Sequence, residues 1–164
     1  AQDHALWLRL CRVTRLAVLP EVLVRYRIHT DNITTTDAGG VDASSAAQAA
    51  RSAAEYLGRD VDIADMMVLR APERCTQDPS PASRLRCAAN VLRDLHDAYV
   101  QTHRISGAAA PCLRRDMARR LFDLAWAACR VAPGAALWTA LAAFRHDPSL
   151  LRFAFWRWRH GEER

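Results

Sequence analysis

The spacing of apolar residues changes along the chain, and each change marks an element. In residues 2–14 (QDHALWLRLCRVT), Leu6, Trp7, Leu10 and Cys11 recur at helical spacing while Arg9 and Arg12 face away, which predicts an amphipathic helix. After the short apolar run 16–19 and the break at Pro20-Glu21 the period falls to two. Val22, Val24, Tyr26 and Ile28 share one face, and Leu23, Arg25, Arg27 and His29 share the other, as in a strand. Residues 30–41 (TDNITTTDAGGV) are polar and turn-rich, a loop long enough to be functional.

Everything beyond that loop reads helical. Residues 43–58 have high helix propensity, with Asp42 as the expected N-cap and Gly58 as the stop. A short helix over 60–70, opened by Asp60-Val61-Asp62, ends before Pro72. Cys75–Pro81 is expected to be a loop, and a long helix to cover 82–104. Ser106–Pro111 is a second break before a helix at 112–131, which Pro133-Gly134 should stop. Shorter helices follow at 135–145 and 148–159. The expected fold class is mainly α: a bundle-like helical region preceded by one helix and a short β-hairpin.

Composition narrows the function classes. With 164 residues, 51% of them hydrophobic, the chain can bury a core and is not a disordered segment. The formal net charge is +5 and all 23 basic residues are Arg. No nucleic-acid-binding module accompanies that charge, so no nucleic-acid partner is expected. Five Cys (Cys11, Cys75, Cys87, Cys112, Cys129) form no C-x-x-C pair and are odd in number. They read as small buried hydrophobes in a reducing compartment, which suggests a cytoplasmic protein. The apolar stretch from Leu121 to Phe144 is interrupted by Asp123, Arg130 and Pro133-Gly134, so two packed helices suit it better than a bilayer span. In the tail, Phe153, Phe155, Trp156 and Trp158 alternate with Arg152, Arg157 and Arg159. That composition fits a terminal helix docked on the body, and also a peripheral membrane contact through 148–164.

The candidate chemistry lies at the N-terminal end. Asp3 stands in the first turn of a helix, where a carboxylate caps and complements the helix dipole. It could equally take a proton from an attacking hydroxyl. Arg25, Arg27 and His29 share one strand face, either as its solvent side or as a cationic end for a leaving phosphate. A neutral His29 could also ligate a divalent cation. Trp7 lies on the apolar helix face, where packing is the plain reading and stacking on a sugar the functional one. Neither His96 and His103 nor the isolated His4 and His146 show ligand spacing.

The string QDHALWLRLCRVTRLAVLPEVLVRYRIHTDNIT resembles the C-terminal end of the catalytic domain of family 2 glycosyltransferases, which have a GT-A fold. Those enzymes carry an acidic pair before a D/LW-L-R-L helix, then an LPE-LVRYR-H hairpin and a polar loop. The matching residues here are Asp3, Leu6, Trp7, Arg9 and Leu10, then Leu19, Pro20, Glu21, Leu23, Val24, Arg25, Tyr26, Arg27, His29 and Asn32. The match covers about a fifth of the chain, and Gln2 replaces the first acid of the pair.

The resemblance implies inverting transfer of a sugar from a nucleotide-sugar donor to a hydroxyl of a glycan or lipid-linked acceptor. It implies Asp3 as the base, His29 at the metal (Mg or Mn) and diphosphate, and Arg27, Arg25 and Trp7 as substrate-binding residues. The nucleotide pocket and metal-binding D-x-D would lie upstream, and the chain opens at Ala1 inside a helical pattern. A piece of a longer protein is therefore expected, inactive alone. Residues 1–36 would form the edge of the catalytic domain, the hairpin completing its α/β sheet, and 37–164 a helical region. The alternative is a helical module that binds a protein or a membrane surface without catalysis.

Overall fold

A computed structural model describes residues 2–14, 17, 19–25 and 38–160. Seven α-helices and one 3-10 helix account for most of them. In chain order they are α1 (Gln2–Val13), α2 (Ala38–Leu57), α3 (Ile63–Arg70), the 3-10 helix (Pro72–Gln77), α4 (Pro81–Thr102), α5 (Ala109–Ala128), α6 (Pro133–His146) and α7 (Leu150–His160). The mainly α expectation holds.

Local chemistry explains most of the boundaries. Gly58 ends α2 with φ +65°, a left-handed conformation that glycine adopts without strain. Asp62 caps α3, its carboxylate accepting from the Ala64 amide at 2.9 Å. Pro81 and Pro133 occupy the first turns of α4 and α6, where a missing N–H costs nothing. The α4 terminus closes with two paired hydrogen bonds, Ile105 N to Val100 O (3.0 Å) and Arg104 N to Gln101 O (3.2 Å). This is a Schellman closure in which Arg104, φ +50°, holds the left-handed position usually given to glycine.

Several sequence expectations are corrected. Helix α2 starts at Ala38, so Asp42 is an interior residue and not its N-cap. Pro111 lies inside α5, because the first turn of a helix tolerates proline. The 3-10 helix over 72–77 takes in residues 75–77 of the expected loop. Among the described residues no strand is seen, and the expected hairpin is absent. Val22, Leu23, Val24 and Arg25 have no regular structure and are exposed, whereas 26–28 lie outside the described residues. A two-period pattern needs a second strand to satisfy its backbone, and none of the described residues supplies one.

The core runs along α5, which packs most extensively on α6 and also meets α4 and the 3-10 helix. Leu85, Leu121 and Leu124 are its largest fully buried aliphatic side chains. Phe122 joins three helices, with ring centroids 6.1 Å from Trp126, 5.8 Å from Phe144 of α6 and 5.9 Å from Phe153 of α7. Leu150 is buried, so α7 is docked at its N-terminal end, as expected of the tail; the side chains of Trp156, Arg157 and Trp158 lie outside the described residues. Helix α2 joins through a seam of Ala46, Ala50 and Ala53, all buried.

One charged group ties the first part of the helical body together. The Arg84 guanidinium on α4 donates to Asp62 Oδ2 (2.7 Å), Asp65 Oδ1 (2.8 Å) and Asp78 Oδ2 (2.8 Å). Asp65 is buried and Asp62 is largely exposed. Hydrogen bonds from Arg84 hold the Asp62 and Asp78 carboxyls below the ordinary carboxylate value and raise Arg84 itself. The unfolded chain therefore binds protons at these two sites more readily than the fold. Their contribution is full above the ordinary carboxylate range and is lost as pH falls through the lowered values. Replacing Arg84 with Met leaves Asp65 buried without its cation. In urea unfolding at neutral pH we expect a loss of about 3 kcal/mol, since breaking such a pair uncovers an uncompensated charge. The gap between Arg84→Met and wild type should narrow in acid, as the carboxylates protonate.

Candidate functional site

The residues singled out at the N-terminal end fall in different settings. Asp3 lies in the first turn of α1, as expected, although its side chain is outside those described. Trp7 is 54% exposed and Leu6 is also exposed, whereas Leu10 of the same predicted face is half-buried and the Cys11 side chain lies outside those described. The inward positions are instead Ala5 and Leu8, one turn apart, which meet the alanine-rich α2. Small residues on α2 favour a short apolar pair on α1 over bulky Trp7. Arg25 is exposed on the irregular segment, and Arg27 and His29 lie outside the described residues. Of the five candidates only Trp7 and Arg25 have described side chains, and both are open to solvent.

Sequence reasoning missed a cavity beside α1. It measures about 340 Å³ and lies among α1, α2, α3, α4 and α5. Leu8 walls it from α1, Ala49, Ala53 and Tyr56 from α2, Met66 from α3, Leu92, Leu95, His96 and Tyr99 from α4, and Leu113 and Met117 from α5. Asp116 and Arg120, an ion pair at 3.0 Å one turn apart on α5, complete it. Leu8 also walls two adjoining hollows, one toward Gln48 and Arg51, the other toward Tyr99 and His103. Tyr56, Tyr99 and His103 form an aromatic cluster there, with ring centroids 6.3 Å and 4.5 Å from His103. The wall is drawn from five helices, so the helical spacing along any one of them, such as that of Leu92, Leu95, His96 and Tyr99, does not announce it.

Two polar atoms of the cavity residues, Tyr56 Oη and His96 Nε2, are buried and have no hydrogen-bond partner among the described residues. Interior polar groups are nearly always paired, which marks this wall as unusual. His96 Nδ1 lies 3.0 Å from Asp97 Oδ1, an arrangement that favours the proton on Nδ1 and leaves Nε2 as an acceptor. His146, at the end of α6, lies within electrostatic reach of His96. Burial, then the proximity of His96, lowers its pKa, with Arg114 and Arg93 acting in the same sense and Asp97 opposing them. Among the described residues no group of three or more His, Cys, Asp or Glu side chains is arranged as a metal site.

The cysteines are only partly as expected. Cys75 is buried, its thiol lies 3.3 Å from the Pro81 carbonyl, and burial pushes its pKa up. Cys87, Cys112 and Cys129 are exposed, because each falls on an outward helix face or end. Among the described residues no helix is long and apolar enough to cross a membrane. No protein-family model, curated protein or solved structure matches the chain.

Two measurements follow from this geometry. His146 favours its neutral form in the fold, so its contribution is complete above its ordinary value of 6.5 and declines as pH falls toward the lowered value. Urea midpoints between neutral and mildly acidic pH should therefore fall less in His146→Gln than in wild type. Brief alkylation of the native chain, read by peptide mass spectrometry, should modify Cys87, Cys112 and Cys129 and spare Cys75 until denaturant is added.

Proposed function

We propose that this chain is the C-terminal part of an inverting glycosyltransferase of the family 2 type. It would hold the base helix and a helical region on the acceptor side, and would be inactive without the upstream nucleotide-binding half. Asp3 takes the proton from the acceptor hydroxyl as that oxygen attacks the anomeric carbon. The bond from that carbon to the nucleoside diphosphate breaks on the opposite face, which inverts the configuration. Arg27 receives the charge left on the diphosphate, with Arg25 beside it, and Trp7 offers a face to the sugar. His29 is this chain's ligand to a divalent cation, Mg or Mn, which when bound neutralises diphosphate charge; the other ligands belong to the upstream D-x-D. In this reading residues 22–28 would become a strand only by pairing with a sheet supplied by that half.

The observation that carries the reading is the ordered match from Asp3 to Asn32. Its placement supports it: the helix with Asp3 packs on α2, leaves Trp7 exposed, and through Leu8 walls the cavity with Tyr56 and His96. An acceptor with an apolar portion has a surface there.

A second reading, a helical interaction module without catalysis, draws on a different observation. Helix α6 leaves Leu137, Trp138 and Leu141 exposed. Donor turnover by the full-length protein separates the two readings. Asp3→Asn should lower the rate by about a hundredfold to ten-thousandfold with the circular dichroism spectrum unchanged, the scale of general-base effects. A rate near wild type would return Asp3 to helix capping and leave the interaction reading.

A further inference from the structure

Helix α6 presents a stripe that packing does not explain. Its inward side, including Ala135, Ala136, Thr139 and Ala143, is buried, and Thr139 Oγ1 donates to the Ala135 carbonyl at 2.9 Å. The outward side carries Leu137, Trp138 and Leu141, exposed by 62%, 76% and 53%. At about 100° per residue, these three and Arg145 fall within one arc of roughly 100°. Three large apolar side chains on one helix arc, open to water, form a patch of the kind that marks an interaction site.

The surroundings of the stripe are cationic. Trp138 borders a hollow it shares with Arg86 and Arg93 of α4, and Arg145 ends the stripe. All three arginines are exposed. Between Pro133 and His160 the sole acidic residue is Asp147, and it is engaged with Ser149 (2.6 Å and 3.0 Å) and Arg115 (3.4 Å).

We infer that the α6 face docks on an anionic lipid surface. Leu137, Trp138 and Leu141 enter the headgroup boundary and the arginines bind lipid phosphates and carboxylates. Trp suits that boundary because its ring is apolar while its N–H still finds a polar partner. A long Arg stem lies along apolar surface and keeps its guanidinium at the headgroups. A second copy is a poorer occupant, since a two-fold contact would set each arginine rim against its own copy. The inference rests on the interaction reading and is indifferent to whether Asp3 is a base.

Flotation of the full chain with vesicles tests it. Vesicles of phosphatidylcholine with about 30% phosphatidylserine should carry the protein at least about fivefold better than phosphatidylcholine alone. The difference should shrink as salt rises from about 0.1 M to about 0.5 M, because screening weakens the headgroup attraction. Leu137→Ser/Trp138→Ser/Leu141→Ser, which alters only exposed positions, should abolish flotation. Trp138→Gln alone decides the matter if circular dichroism shows the triple variant misfolded. No preference for the anionic vesicles overturns the inference, as does a variant that floats like wild type. A dimer in sedimentation equilibrium that Trp138→Gln dissociates also overturns it, and assigns the stripe to a second copy. Failure of flotation leaves the Asp3→Asn result untouched, so the two readings fail separately.

Discussion

Arg84 holds three carboxylates that have no other means of sharing one place. Asp62 begins α3, Asp65 lies buried on its inner face, and Asp78 sits in the turn before α4. The guanidinium fork satisfies all three at 2.7–2.8 Å, and its planar geometry is what permits it; a lysine ammonium could not be oriented toward three acids with the same precision. The contact sets the angle at which the chain leaves α3, passes through the 3-10 helix and enters α4. Helix α4 in turn positions Leu92, Leu95, His96 and Tyr99 along the cavity.

The apolar core does the complementary work at the other end. Phe122 is the only large ring that reaches α6 and α7 together among the ring contacts of the described residues. Its neighbours Ala118, Ala125 and Ala128 are small, which lets α6 come close and leaves α5 its most extensive partner. Asp147 finishes this end by capping α7 through Ser149 and meeting Arg115 of α5. The two ends use different physics: directional charge fixes α3 and α4, and close-packed small and aromatic residues fix α5 to α7.

Much of the helical architecture was legible because its punctuation is local. Gly58, Asp62, Pro81 and Pro133 act through their own backbone, and each marks a boundary within a residue or two. The misreadings of exposure share one cause, which is that burial is settled by partners. Trp7 looked like a core residue on α1 until the alanines of α2 selected Ala5 and Leu8 instead. Cys87 and Cys112 looked buried by residue type, yet their positions on α4 and α5 face outward. The alternating pattern of Val22 and Val24 described a strand without describing what would pair with it. The candidate site was least legible of all. Arg84 stands 22 residues from Asp62, and Tyr56 40 residues from His96, so only the assembled helices bring such groups together.

The alanine seam of α2 has an evolutionary corollary. Ala46 and Ala50 are buried where α2 meets its neighbours, so a larger side chain at either forces α2 outward, while glycine there loosens the helix itself; Ala53 stands where the seam opens onto the cavity. Room to vary lies instead on the facing helix α4, where Leu92 and Tyr99 line the hollow. The hollow beside α1 can be reshaped over generations while the helix that frames it stays in place.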